Sequence, residues 1–336
     1  MLLNPSVENP TYTVYITTKD KRYDVTPAVM SIDFSEQETQ MAVSANLTIA
    51  DIDYSGKPLS SVFDSRNRVV IYANDGTKND EVFRGFVWDL SPKESLTENS
   101  FTIKAYDHLI YLQESEDHEF FRSGEMTSNI FQSICKKWGI DGRFAYDSIV
   151  HKQLVMRGAI ADFLTEDLLN EAQRYCSTKY VVRSEKDALW VLKVGSNEMI
   201  YTLDAKCNAT ELRKHKTMNG ITTQVIVLGN EDDDGKSPVE ATLSKNTDEY
   251  GTLQKIISRS EDTTLYDATK EARSILNEDG KPKWEYDIKA VDIPWIRKGD
   301  KVLVHTKSLN GTYIVKSIDR EISNRGNHMT LTIASP

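Results

Sequence analysis

Lys298–Ala334 reads KGDKVLVHTKSLNGTYIVKSIDREISNRGNHMTLTIA. Within it Lys301–His305 and Met329–Ala334 alternate apolar and polar residues, and Lys-Gly-Asp, Asn-Gly and Arg-Gly-Asn supply turn chemistry between them. The pattern predicts the closing part of a small antiparallel β unit. It also recurs. At an offset of 228, Val315, Ile318, Ser323, Asn327, Met329, Thr330 and Leu331 fall on Val87, Leu90, Ser95, Asn99, Phe101, Thr102 and Ile103. Upstream, Lys301, Val302 and Val304 match Arg68, Val69 and Ile71 at an offset of 233. The difference falls in a loop, Ala73–Val82 against Thr306–Asn310, where closure entropy grows slowly with length. Any two half-buried hairpins share alternation and turn residues, so coincidence and duplication both fit. Duplication predicts two similar β domains flanking something else.

The 336 residues exceed one ordinary domain and predict two or three. Apolar residues make up 39% and charged residues 27%, the balance of a folded chain with a sizeable core rather than a disordered one. Apolar runs such as Val69–Ala73 and Tyr180–Val182 are far shorter than the roughly 18 residues of a membrane span, so none is expected. The start, MLLNPSVENP, lacks the basic and apolar stretches of a signal peptide, which predicts folding in the cytoplasm. Cys135, Cys176 and Cys207 are odd in number and far apart, and fit reduced thiols rather than a disulfide framework or zinc site. A net charge of −10 opposes sequence-independent nucleic-acid binding, whose affinity comes from cations displacing counterions. Lys19–Arg22 and Arg213–Lys216 read as solvated surface.

Along the chain, Tyr12 to about Leu112 is nearly all strand: Thr11–Thr17, Val43–Ala50, Val69–Ala73, Val82–Trp88 and Ser100–Ala105, with turn residues between. After Gln113–His118 the pattern becomes helical. Thr127 or Ser128 is placed to cap a helix carrying Ile130, Phe131, Ile134 and Trp138 on one face, ended by Gly139. A second helix is expected over about Phe163–Tyr175, burying Leu164, Leu168, Leu169, Ala172 and Tyr175. A hairpin follows, Lys179–Arg183 and Ala188–Val194 around Ser184–Asp187. Strands return at Ile221–Leu228, Gly251–Arg259 and Trp284–Val291. Between the last two, Thr264 caps a helix in a capping-box arrangement with Asp267, with Leu265, Ala268, Ala272, Ile275 and Leu276 inward. The expected fold class is α+β, mostly β: two similar antiparallel β-barrel-like tube domains, 1–112 and 217–336, flank a small α+β domain, 113–216, and the second tube domain carries one helix.

No pattern of catalytic residues emerges. Asn230–Gly235 clusters carboxylates, yet an EF-hand needs a bidentate Glu six residues after the Gly, and position 241 is Ala. Asp75–Asp80 fits a cation still less well. His108, His118, His151, His215, His305 and His328 are scattered, and no phosphate-binding loop or nucleophile elbow is present. Carboxylates are abundant, but no two stand out as a glycosidase pair. Trp88, Trp138, Trp190, Trp284 and Trp295 fit core or interface packing better than a sugar-stacking platform. No catalytic, cofactor or metal residue is assigned.

The run Ile296–Val302, then Gly311–Ile318 and Met329–Ile333, with helix Leu265–Leu276 leading to Trp284–Val291, resembles the XkdQ-like baseplate hub proteins of contractile phage tails and phage-tail-like particles. More distantly it is similar to late-control protein D and the hub part of type VI spike proteins. The resemblance covers nearly the whole chain and rests on turns and strands. It implies a non-enzymatic, structural homotrimer in which two β domains per chain alternate around an axis, adapting a sixfold tail tube to a threefold spike. It implies as partners a tail tube protein, a spike protein and other baseplate proteins, with no specific nucleic acid, no cofactor and no membrane span. It implies assembly in the bacterial cytoplasm and a place in the tail or tail-like particle, including prophage and bacteriocin forms. It further implies that strand edges open in the monomer are covered by neighbouring chains; some relatives carry a fused lysozyme-like module, and none is expected after the last strand here. The alternatives are a carbohydrate- or cell-wall-binding β protein with aromatic platforms, and a glycan hydrolase with an unrecognised carboxylate pair.

Overall fold

Alternation in the sequence becomes a two-faced sheet: Val14 and Ile16, Ala45, Leu47 and Ile49, and Phe101, Ile103 and Ala105 are all buried while their neighbours face outward. The computed structural model describes residues 2–3, 9–95, 99–146, 148–176, 178–230, 236–259 and 264–335. In chain order the first strands are β1 (Leu2–Leu3), β2 (Thr11–Thr17), β3 (Arg22–Asp24), β4 (Val29–Glu36), β5 (Ser44–Ala50), β6 (Arg68–Asn74), β7 (Asn79–Lys93) and β8 (Ser100–Tyr106). Sequence reasoning omitted β4. Its VMSIDFSE pattern alternates, but Glu36 is a charged residue facing inward and breaks the apolar series.

The middle of the chain holds α1 (Ile110–Gln113), β9 (Glu116–Phe121), α2 (Thr127–Lys137), β10 (Asp141–Phe144), β11 (Leu154–Ala159) and α3 (Ile160–Asp162). A π-helical segment, Phe163–Leu169, runs on into α4 (Asn170–Cys176), and the hairpin β12 (Tyr180–Glu185) and β13 (Ala188–Lys193) follows. Its core is Leu109, Leu112, Ile130, Phe131, Ile134, Leu164 and Leu168, each contributing about 1.5–3 kcal/mol by burial. Neither Thr127 nor Ser128 caps α2. The Thr127 hydroxyl instead takes the Ile149 amide at 3.2 Å and meets His151 Nε2 at 2.7 Å, tying the helix start to the following loop. Tyr175, expected inside, is 68% exposed in the last turn of α4, although Ala172 before it is buried as expected.

The last part contains β14 (Ile200–Asp204), β15 (Ala209–Thr217), β16 (Gln224–Leu228), β17 (Val239–Ser244), α5 (Thr247–Tyr250), β18 (Gln254–Ser258), α6 (Leu265–Asp279), β19 (Lys283–Val291), β20 (Lys301–His305), β21 (Asn310–Ser323) and β22 (Gly326–Ala334). The chain divides into two compact units, 1–213 with 286–336, and 214–285; the boundaries fall within β15 and β19. The smaller unit packs α6 on a three-stranded sheet, β17-β16-β18, through Val225, Val227, Ala268, Ala272, Ile275 and Leu276. Thr264 caps α6 as expected, taking the Asp267 amide at 3.1 Å. Leu265, expected on the inner face, is 43% exposed, and the buried face of α6 begins at Ala268.

In the larger unit one mixed, mainly antiparallel sheet runs β1-β14-β20-β21-β4-β5-β8-β7-β6-β2-β3, with β15-β19-β22 joining at β21. The protein is thus an α+β fold dominated by strands. Among the described residues the ladder path is open and closes no barrel. Separate apolar cores lie beneath β2–β8 (Ile16, Leu47, Ile71, Phe101, Ile103) and beneath β14 and β19–β22 (Leu203, Ile288, Val302, Val315, Leu331).

Candidate assembly interface

The two halves of the large sheet share their register. Across β21 and β22, Val315 faces Ile333 and Ile318 faces Leu331; 228 residues earlier, across β7 and β8, Val87 faces Ala105 and Leu90 faces Ile103. A β-bulge interrupts both ladders, between Val315 and Ser317 and between Val87 and Asp89, again 228 apart. One inserted residue changes which face every later side chain meets, so a shared bulge is a stricter match than shared alternation. The preceding hairpins agree too: Val302 faces Tyr313 as Val69 faces Gly85, and Val304 faces Gly311 as Ile71 faces Phe83. Beyond β22 lies β19, with Ile288 opposite Leu331, as β5 lies beyond β8 with Leu47 opposite Ile103. Two sets therefore have one order, β15-β19-β22-β21 and β4-β5-β8-β7. They differ at β14, parallel to β20 where β2 is antiparallel to β6.

A single ladder joins the sets. Along one edge β21 pairs first with β20, through Asn310–Ile314, and then with β4, where Ile318–Ser323 face Glu36–Ser31. Ser35 Oγ and Gln37 Nε2 donate to Asp319 Oδ1 at 2.7 and 2.9 Å, and Lys316, the bulge residue, ion-pairs with Glu38. Beneath the joint, Arg297 grips the buried Glu36 with Nε 3.0 Å from Oε2 and Nη2 3.0 Å from Oε1, and the Lys298 amide adds a bond of 3.1 Å. Burial works to raise the Glu36 carboxyl, but Arg297, Lys298 and Arg183 outweigh it and hold it at about 2. The Lys298 ammonium donates to the carbonyls of Gln37 and Gln40 at 2.9 and 2.7 Å. Arg320 Nε reaches Asp292 Oδ1 at 3.0 Å and Tyr12 donates its hydroxyl to the other oxygen, while Arg183 meets Asp300 at 2.6 Å. Nearby, burial pushes the Asp107 carboxyl up to about 7; its Oδ1 accepts the Leu109 amide at 3.0 Å, and its Oδ2 has no hydrogen-bond partner among the described residues.

Two strand edges in this run have no ladder partner among the described residues: the stretch Asp89–Lys93 of β7 on the side away from β8, and β15 on the side away from β19. Trp88, at the bulge before the first of these edges, is 43% exposed beside the rings of Tyr106 and Tyr111.

The residues singled out for chemistry go elsewhere. Of the Asn230–Gly235 loop, 231–235 lie outside the described residues. Asp75 organises its own turn, with Oδ1 taking the Thr77 and Lys78 amides at 2.9 and 2.8 Å and Oδ2 taking Trp295 Nε1 at 2.6 Å; against the effect of burial, these donors hold it at about 2. His151 bridges Thr127 and Glu171, His215 meets Glu285 at 2.9 Å, and His108 meets Ser184 at 3.1 Å. No group of three His, Cys, Asp or Glu residues is placed to hold a metal ion among the described residues. A cavity of about 490 Å³ is lined by both signs of charge, including Asp80, Arg84, Asp107 and Arg297, and Asp80 and Arg84 are paired with Lys186 and Asp187 at 3.0 Å each. Glu36, Asp292 and Arg320 were not legible as joint residues; for Glu36 and Arg320 the available signal was charge at inward positions of alternating strands, and Asp292 lies just past the end of β19.

A family model described as YQBQ-like matches residues 32–334. No curated protein matches the chain in sequence. Among solved structures, the fold is similar to the 43 kDa tail protein of prophage MuSo2 from Shewanella oneidensis, at 13% identity and a TM-score of 0.69, over 97% of this chain and 99% of that one. A tail protein from Neisseria meningitidis is similar at 14% identity and a TM-score of 0.68, over 96% of each. An E. coli component of the type VI secretion system, itself described as similar to the T4 tail proteins gp27 and gp5, matches at 10% identity and a TM-score of 0.56, over 92% of this chain and 74% of that one.

Proposed function

The chain belongs to the YQBQ-like family, and from that premise we propose that it is a structural, non-enzymatic component of a phage-type tail baseplate, acting as a homotrimeric hub between a sixfold tube and a threefold spike. The observation that carries this reading is the repeated register, bulge included, of β6–β8 and β20–β22. A ring needs equivalent edges, and three copies of a doubled unit present six. The shared fold with prophage tail proteins and a type VI component supports the same setting. In this reading the partners are the tube, the spike and other baseplate proteins. The net charge of −10 suits a passage through which a polyanion slides without sticking.

Mass measurement across a concentration series, combined with negative-stain imaging, tests the proposal. The expected result is a trimer, or trimerisation on addition of the cognate tube or spike protein, seen end-on as a ring of six similar lobes. A chain that stays monomeric throughout, with both partners present, removes the hub.

A further inference from the structure

We propose that the cavity walled by Asp107 after β8, the β12–β13 hairpin and the turn before β20 is a binding site for a guanidinium cation, with the Asp107 carboxylate as its anchor. The cavity lies wholly within the larger unit and does not depend on the ring.

The charges of the wall decide the sign of the ligand. Each basic residue there already has a carboxylate of this chain. Lys78 and Lys186 lie 3.4 and 3.0 Å from Asp80, Arg143 lies 2.9 Å from Asp141, Arg84 lies 3.0 Å from Asp187, and Arg297 lies 3.0 Å from Glu36. Two carboxylates of the wall, Asp107 and Glu185, have no ion pair among the described residues. The Lys298 ammonium, whose charge acts on Asp107, is committed to the carbonyls of Gln37 and Gln40. An anion would have to break an existing pair, whereas a cation meets charge that is still unanswered.

Asp107 distinguishes this wall from a chance acidic surface. It is 3% exposed and fixed in place: its amide donates to the Val43 carbonyl at 3.1 Å and its Oδ1 takes the Leu109 amide at 3.0 Å. Its Oδ2 has no hydrogen-bond partner among the described residues. A buried acceptor left unpaired costs stability, and an asparagine would serve the Leu109 amide without holding a carboxylate there. A cation that reaches Oδ2 offsets that cost with a charge-assisted hydrogen bond.

The rest of the cavity favours a guanidinium. Trp190 and Trp295 line it, and each already holds a cation of this chain over its ring: the Arg143 guanidinium carbon is 5.0 Å and the Lys78 ammonium 4.3 Å from the ring centroid. Both of these side chains are about half exposed and free to swing outward when a ligand enters. A planar guanidinium suits both parts of such a wall, because it stacks on indole and presents N–H groups in a fork to a carboxylate. Val43, Val82 and Pro294 add apolar surface for an aliphatic stem. The volume of about 490 Å³ is that of a small-ligand pocket.

The test is a titration of the full chain at pH 8, followed by tryptophan fluorescence and calorimetry. The probes are N-acetyl-arginine amide, its neutral isostere N-acetyl-citrulline amide, agmatine, and the tripeptide acetyl-Ala-Arg-Ala amide. The expected result is saturable binding of the arginine amide, with the citrulline amide weaker by about ten- to a hundredfold, the loss of one charge-assisted hydrogen bond. Asp107→Asn should weaken the arginine amide by a similar factor and leave the citrulline amide unchanged. Glu185→Gln, at an exposed position where the fold is not at risk, should weaken the arginine amide by about two- to fivefold. Tighter binding of the tripeptide than of agmatine assigns the cation to a side chain of a partner protein, and agmatine binding at least as tightly assigns it to a free small cation. Equal binding of the arginine and citrulline amides, or an arginine affinity unchanged by Asp107→Asn, overturns the site.

Discussion

Arg297 and Glu36 stand 261 residues apart in the chain and meet in a two-pronged ion pair, Nε to Oε2 and Nη2 to Oε1, each at 3.0 Å. They hold the end of β4 against the turn that precedes β20, so the joint between the two sets depends on a buried charge pair. Such pairs contribute little over an apolar substitute, but removing one partner strands the other charge.

Glu36→Gln is therefore expected to destabilise by about 3–5 kcal/mol at pH 7. The sign follows from the carboxyl held at about 2, below its ordinary 4.5. Its contribution is fully present above about 4.5 and is lost as pH falls toward 2. Urea unfolding at pH 7 and pH 3 checks this: the mutant and the parent should converge in acid, and a constant difference would contradict the pair's role.

Asp107 predicts the opposite slope. Its carboxyl, raised by burial to about 7 from an ordinary 3.8, keeps its proton in the folded state where the unfolded chain has lost it. The folded state thus binds more protons between about 4 and 7, and stability falls as pH rises through that window and then levels. Asp107→Asn retains an acceptor for the Leu109 amide and removes the penalty. It should stabilise by a few kcal/mol at pH 8, because each tenfold weakening of the acid corresponds to about 1.4 kcal/mol. The advantage should be gone near pH 4. Urea unfolding at the two pH values reads the difference, and a mutant less stable than the parent at pH 8 would sink the prediction.

Gly299 sits at φ +84°, and a Cβ there would lie 2.7 Å from Val181 Cγ1. Gly299→Ala should cost about 1–2 kcal/mol for the left-handed backbone, with the clash added. Adding Val181→Ala should relieve the Cγ contacts and leave the backbone cost together with a 3.0 Å approach to Val181 Cβ. Full recovery in the double mutant would show that the backbone is not strained there.

The sequence carried the strands with regular alternation. Thr11–Thr17 was legible to the residue, and the offset of 228 lay in plain view from Val87 to Leu331. What it did not carry was the joint. Glu36 and Arg320 face inward on β4 and β21, and a single chain of letters does not say that Glu36 will meet Arg297 or that Arg320 will meet Asp292. The π segment was not legible either: nothing in Phe163–Leu169 distinguishes a π turn from an α turn, although Leu164, Leu168, Leu169 and Ala172 are buried as their spacing predicts. Ile296–Val302 was legible as a resemblance before it had a physical role; Arg297, Lys298 and Asp300 supply that role as the clasp under the joint.

If the repeat is real at the level of packing, equivalent positions must behave alike. Ile103 and Leu331 are both fully buried, each facing its equivalent partners, Leu90 and Leu47 or Ile318 and Ile288, in separate cores. Ile103→Ala and Leu331→Ala should each destabilise by about 2–5 kcal/mol, because each removes buried methylenes and leaves a cavity that the sheet cannot close. The two cores share neither residue, so the double mutant should add the single costs within about 0.5 kcal/mol. Chemical denaturation followed by tryptophan fluorescence reads all three. A cost below about 0.5 kcal/mol at either site, the range of a surface change, would mean that one of the two strands is not in the register shared by the other, and the equivalence of β8 and β22 would go with it.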